Sequence, residues 1–426
     1  MPPITDHPLR YALANELHAR PFPSLAAPCT AAYLAVQPPG HSAARDRDAD
    51  MRHLIALLDR HGAPHPQPGA THYSGKLGRY TLKWESHTEF VTYTAFGDGL
   101  SARPFDPMDF DVFPADWLAL LDGQRITSAL IRVENWTDKD KVNQALNDWF
   151  VPESLAVSRV LDDAAVVGAD FRIDAGGHQR FAVFVAPGTG RRRIGRIVQR
   201  LCEIETYKSV SMLGFAAVKD MSAKMTEIDQ SLTQVMGDMS SGDQPADETL
   251  GKLLSVSAEL EAMIAHSAFR FGATGAYEAI VNQRIEVLRE QRFDGRQTFA
   301  EFMMRRYDPA MRTVKAAERR LAAMSDRAMR AGNLLRTRVD VERSAQNQAL
   351  LESMNARADA QLKLQRTVEG LSVVAISYYA VSLLSYLVYP VSDLTGLSKG
   401  TLLALLTLPV VLMVWVLLRR IQKALH

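Results

Sequence analysis

Cysteine is scarce in this chain. Cys29 and Cys202 are the only two in 426 residues, too few for a disulfide framework and in neither a metal nor a redox spacing, so free thiols in a reducing compartment are expected. Charge imbalance is missing too: 49 basic against 48 acidic residues leave a formal charge of +1, and no bulk field invites nucleic acid as a partner. The first 22 residues contain no apolar run of signal-peptide length, so export of the N-terminal part is not expected. What is present is a globular composition, 47% apolar and 23% charged, which excludes a mostly disordered chain. A length of 426 residues exceeds what one hydrophobic core organises, so two or three units are expected.

The mean hydropathy of −0.10 is that of a soluble protein, yet the apolar residues crowd at one end. Residues 370–392 form a run of 23 without a charged side chain, bounded by Glu369 and Asp393. Residues 400–418 form a second run of 19, with Pro409 in its middle and Trp415 near its end. As helices rising about 1.5 Å per residue, such runs cross a hydrocarbon core of roughly 30 Å. Seven residues separate them, so a tight two-span transmembrane hairpin is expected, with both chain ends on one side. Lys363 and Arg366 precede the first span, and Arg419, Arg420 and Lys423 follow the second, while the connection carries only Asp393 and Lys399. The positive-inside bias then makes this a multi-pass membrane protein with both termini and residues 1–365 in the cytoplasm.

Residues 1–188 alternate strand-like and helix-like stretches, the pattern of a mixed head, α+β or α/β. Residues 81–85 and 89–96, rich in Thr, Tyr, Phe and Trp, read as an antiparallel hairpin turning at 86–88. Further strands are expected at 30–37, 126–133, 165–173 and 180–186, and helices at 9–18, 43–61 and 109–121. From 189 to 366 helical spacing dominates, as 191–235, a Gly/Ser/Asp-rich break at 236–247, 248–292, and a last helix starting at Asp308-Pro309. Between 310 and 366 there is no proline and a single glycine, Gly332, so a helix of about 85 Å is expected to feed the first span.

In that stalk Val314, Ala317, Leu321, Met324, Ala328, Ala331 and Leu335 step 3, 4, 3, 4, 3, 4, a heptad seam. Leu350, Met354, Gln361, Leu364 and Val368 continue it on a rotated face, as in a coiled coil with a stutter. The seam needs a partner. Either the 191–292 helices return antiparallel along it, or a second subunit pairs with it in parallel.

Residues 15–22 (NELHARPF), 200–208 (RLCEIETYK), 269–312 (from FRFGATGAYEAIVNQRIEVLRE) and 334–379 (from LLRTRVDVERSAQNQALLESMN) resemble a bacterial family of predicted membrane-anchored proteins. That resemblance spans nearly the whole chain and implies the membrane anchor; it carries no reaction with it. A looser likeness is to magnesium channels, in which a cytosolic α/β domain leads through a long stalk helix into two C-terminal spans. Those channels end the first span in Gly-Met-Asn, whereas this chain has Tyr389-Pro390-Val391-Ser392.

Three clusters are candidate sites. Arg191, Arg192, Arg193 and Arg196 follow Gly188-Thr189-Gly190 at the start of a helix, where cations oppose the helix dipole and need either acidic partners such as Glu203 and Glu205, or an anion or lipid headgroup. Tyr378, Ser382, Ser385 and Tyr389 step 4, 3, 4 along the first span, a polar face that serves helix packing or lines a pore. Glu16, His18 and Arg20 alternate near the N-terminus, either pinned by salt bridges or placed for acid-base or anion chemistry. No nucleophile–base pair, cofactor fingerprint or metal spacing accompanies them, so no cofactor or metal is expected. The reading is a membrane-anchored cytosolic binding, scaffolding or sensing protein, homo-oligomeric, contacting the lipid bilayer and an unidentified cytosolic partner or ligand. The alternatives are an oligomeric divalent-cation channel or transporter, and a membrane-tethered enzyme.

Overall fold

The computed structural model describes residues 4–16, 22–38, 45–242, 244–388 and 398–425. The chain divides into two compact units, residues 1–237 with 252–330, and residues 238–251 with 331–426.

The first unit contains a mixed nine-stranded sheet. Its strands are β1 (Cys29–Gln37), β2 (His72–Leu77), β3 (Tyr80–Ser86), β4 (Val91–Asp98), β5 (Gln124–Asn135), β6 (Ala156–Val160), β7 (Ala165–Ala169), β8 (Gln179–Val185) and β9 (Gln291–Arg292), ordered β2-β3-β4-β1-β5-β8-β7-β6-β9. Among the described residues only β5 and β8 run parallel. The expected hairpin is present as β3 and β4, paired Trp84 to Tyr93. The strand expected at 165–173 stops at Ala169, because Asp170 is buried against Arg180 at 2.9 Å and Phe171 takes a φ of 53°.

One face of the sheet buries the larger core. Leu34, Leu82, Trp84, Tyr93, Leu130 and Phe184 point from the strands toward Leu54, Leu57 and Leu58 of α2 (Arg47–Arg60) and Trp117 of α3 (Ala115–Leu118). Val142 and Leu146 of α4 (Lys139–Trp149) lie one turn apart and join them, each large apolar side chain contributing about 1.5–3 kcal/mol. The helix expected over 109–121 is broken: a 3-10 turn at Pro107–Phe110 and α3 stand either side of Pro114, whose ring cannot continue a helix. The short α1 (Arg10–Glu16) precedes β1.

The opposite face is covered by α5 (Arg191–Ser241), with Ile194, Ile197, Val198 and Leu201 buried. This helix runs through most of the expected break and ends at Ser241, so the interruption before α6 (Ala246–Glu286) is only a few residues. After β9 come α7 (Phe299–Arg306), opened by a Thr298–Glu301 capping box, and α8 (Asp308–Leu387).

Within the first unit α8 runs alongside α5 and α6. Asp229 of α5 holds Arg320 at 2.9 Å and also Arg327, while Glu278 and Glu261 of α6 take Lys315 and Ser325 at 2.7 and 3.0 Å. Ser211 of α5 lies 2.8 Å from the hydroxyl of Tyr307, just before α8, so residue numbers rise together along α5 and α8 and oppose along α6 and α8. The antiparallel return is supplied by α6 alone; α5 is parallel to the stalk. All seven residues of the first seam are buried.

In the second unit Arg338 of α8 donates to the Met239 carbonyl at 3.2 Å and pairs with Glu342 at 2.9 Å. Beyond it Leu350, Met354, Leu364 and Val368 are exposed. The end of α8 and α9 (Lys399–Leu425) are long and apolar enough to cross a membrane, and only 6% of the most apolar stretch of each is buried.

Candidate functional site

The motif at 200–208 occupies the turns of α5 that press on the sheet. Neighbouring positions are buried together: Leu201, Cys202, Ile204, Glu205 and Thr206. A carboxylate there requires partners, and Glu205 has three: Thr127 of β5 donates to it at 3.1 Å, Ser209 at 3.0 Å, and Lys208 pairs with it at 2.6 Å. Thr206 gives its proton to the Cys202 carbonyl at 2.9 Å, so the Tyr33 hydroxyl of β1 is the donor to Thr206. The motif therefore docks α5 onto the sheet through polar groups as well as apolar ones.

Beside this seam lies a cavity of about 220 Å³, lined by β1, β3, β4, α5 and Arg284 of α6. Lys83 and Glu85 alternate with Leu82 and Trp84 along β3, so they face α5 and not the apolar core. A polar chain crosses the cavity wall. Lys83 pairs with Glu85 at 3.1 Å and donates to Gln199 at 2.8 Å; Gln199 donates to Glu203 at 2.7 Å, and Glu203 takes Arg284. Phe90 and Tyr207 add an aromatic side, and Tyr207 stacks on Tyr277, whose hydroxyl donates to the buried Glu89 at 2.9 Å.

Burial, reinforced by Glu203, pushes the Cys202 thiol far above its ordinary range, and burial does the same to the Tyr33 phenol. A thiol held protonated is a poor nucleophile. Among the described residues, no three His, Cys, Asp or Glu side chains converge as a metal site.

The arginines at the start of α5 line a second, open cleft of about 1280 Å³. Neither carboxylate expected to neutralise them does so, since Glu203 is taken by Arg284 and Glu205 by Lys208. Arg193 instead reaches Asp162 in the β6–β7 turn at 3.5 Å, and the Arg196 guanidinium lies 5.9 Å over the Phe22 ring. Arg200 and Arg289 join the same cleft. Of the N-terminal cluster, Glu16 ends α1, while the Glu16 side chain and all of His18 and Arg20 lie outside the description. In the apolar stretch of α8 Tyr378 is 72% exposed and Ser382 and Ser385 are half-buried, Ser385 donating to the Ser382 carbonyl at 2.5 Å. Tyr389 lies outside the described residues.

A family model described as protein of unknown function (DUF3422) matches residues 5–425. The chain belongs to that family. No curated protein and no solved structure matches it. The match includes the head, the long helices and both apolar stretches, in agreement with the resemblance carried by the four sequence runs.

The grouping of Lys83 and Glu85 with Gln199 and Arg284 escaped sequence reasoning because β3, α5 and α6 are distant stretches of chain. One signal was legible: two charges alternating inside an otherwise apolar and aromatic strand imply a second covered face.

Proposed function

We propose that the chain is a membrane-tethered binding or sensing protein. Its sheet-containing head lies in the cytosol, and its last two apolar helices form a two-span anchor in the bacterial inner membrane. The observation that carries this reading is the exposure of those helices. Leu371, Val374, Leu383, Leu405, Leu408 and Leu412 are all more than half exposed, a surface that water disfavours and lipid accepts. The charge pattern sets the orientation, with Lys363, Arg366, Arg419 and Arg420 on the cytoplasmic side. The head supplies the binding part, since its 220 Å³ cavity joins paired charges to an aromatic wall and its buried thiol and phenol are held protonated. The exposed lower seam of α8 supports self-association through Leu350, Met354, Leu364 and Val368.

The test is the full chain expressed in a Gram-negative host. The anchor reading expects it to stay in the membrane pellet after alkaline carbonate. A Lys399→Cys variant should react with an impermeant maleimide from outside, and a Lys76→Cys variant only after the membrane is broken. Carbonate release, or outside labelling of Lys76→Cys, would refute it.

A further inference from the structure

We propose that the arginine cleft at the start of α5 binds a ligand carrying two phosphoryl groups. The proposal rests on reading the head as a binding module and names the chemistry of one of its ligands.

Three segments build the cleft, and backbone contacts fix them to one another. The Leu161 amide of the β6–β7 turn donates to the Leu288 carbonyl after α6 at 2.8 Å. Thr189, just before α5, donates to the Ala164 carbonyl at 3.0 Å, and Arg200 donates to the Val287 carbonyl at 3.1 Å. The frame is thus set before any ligand arrives.

Its cations outnumber its carboxylates. Arg191, Arg192, Arg193, Arg196, Arg200 and Arg289 line the cleft, and among the described residues Glu286 and Asp162 lie beside them, with Glu203 acting on Arg200. Asp162 is shared between Arg193 and Arg289, at 3.5 and 2.6 Å. Arg191 and Arg192 have no carboxylate partner among the described residues. The first turn of α5 contains no acidic residue, so its dipole adds to the positive field. Arg289 adopts a φ of 49° at the turn after α6, a conformation that usually selects glycine, and there it puts a guanidinium in the cleft. Burial and the neighbouring Arg196, Arg284 and Arg289 lower the pKa of Arg200 against the opposing pull of Glu203, the sign of cations that outnumber their anions.

Guanidinium groups match phosphoryl oxygens two at a time, and here they come from both walls of an opening wider than one phosphate. A diphosphate spans such walls. The concave shape and the chain's near-neutral total charge disfavour a nucleic-acid backbone, which needs an extended basic stripe. The diphosphate can be an anhydride in solution or the paired phosphodiesters of a lipid headgroup.

The experiment is calorimetric titration of the full chain in a neutral maltoside detergent, with inorganic pyrophosphate in one arm and short-chain cardiolipin in the other. Saturable binding in at least one arm is expected, weakening with added salt, and falling about tenfold or more in Arg191→Ala/Arg192→Ala, since both residues face the cleft unpaired. An Arg305→Ala variant, on the exposed face of α7, should bind as the parent does. Binding in the pyrophosphate arm assigns a soluble ligand, and binding in the cardiolipin arm alone assigns a lipid. No saturable binding in either arm, equal loss in Arg305→Ala, or tighter binding to a DNA duplex than to both probes would overturn the proposal. Failure here with the chain still carbonate-resistant would leave the tether intact, so the two readings fail separately.

Discussion

The carbonyl of Pro23 occupies the space where Gly195 would carry a side chain: a Cβ on Gly195 would sit 1.7 Å from that oxygen. The segment leading into β1 therefore lies directly on the backbone of α5, and the Leu25 amide donates to the Arg191 carbonyl at 3.1 Å. This contact brings Phe22, the last residue of the NELHARPF run, under Arg196 and to the rim of the polar cavity. Gly195→Ala should lift the segment off the helix at a cost of about 1–3 kcal/mol, because backbone on both sides leaves nothing flexible to yield. Hydrogen exchange at the Leu25 amide should rise sharply in the variant; unchanged protection there would refute the contact.

His53 and Trp117 give the head a pH dependence. The Trp117 indole donates to the His53 carbonyl at 2.9 Å, and His53 Nε2 donates to the Trp117 carbonyl at 3.1 Å, leaving Nδ1 to accept from the Tyr93 hydroxyl at 2.9 Å. That arrangement uses the neutral ring, and burial lowers its pKa from 6.5 to about 4. Between these values the unfolded chain holds a proton that the folded chain refuses, so stability falls as pH drops through the window, by about 3 kcal/mol at most. Denaturation midpoints at pH 7.5 and 4.5 should differ more for the parent than for His53→Gln. Equal differences in the two proteins would show that His53 does not titrate in this way.

How far the sequence carried the fold depended on whether a segment's partner was near. β1, β3, β4, β5 and β8 were legible from β-branched and aromatic residues, and the first seam of α8 from its 3-4 spacing. β2 was not, since Gly75 and Lys76 make it read as a turn, and α4 was not, since only Val142 and Leu146 mark its buried face. Pro114 was visible, yet a helix was still expected across it. The arginine cluster was legible as a charge anomaly, but its completion by Arg289, 96 residues beyond Arg193, depends on the turn that brings Asp162 between them. The role of Glu205 was hidden for the same reason, because Thr127 lies 78 residues away.

Thiol reactivity offers an independent check on the cavity. Burial, with Asp98 nearby, raises Cys29 to about 12, and burial with Glu203 nearby raises Cys202 further. At pH 8 both remain protonated and covered, so the native chain should take up almost no Ellman's reagent, whereas the denatured chain should react at both sites. Fast native labelling confined to Cys202 would mean that its thiol is reached from the cavity, against its burial on the packed face of α5.

The two halves of the α8 seam differ in a way that mutation can separate. Met324 is fully buried within the first unit, so Met324→Ala should cost about 2–5 kcal/mol as lost burial plus a cavity. Met354 is 56% exposed, and Met354→Ala should shift the denaturation midpoint of the monomeric chain by less than about 0.5 kcal/mol. If a second copy covers the lower seam, as proposed, Met354→Ala and Leu364→Ala together should weaken self-association measured by cross-linking in detergent while leaving that midpoint in place. The same pair having no effect on cross-linking would mean that the lower seam is not where subunits meet, and the partner of this exposed apolar face would have to be another molecule.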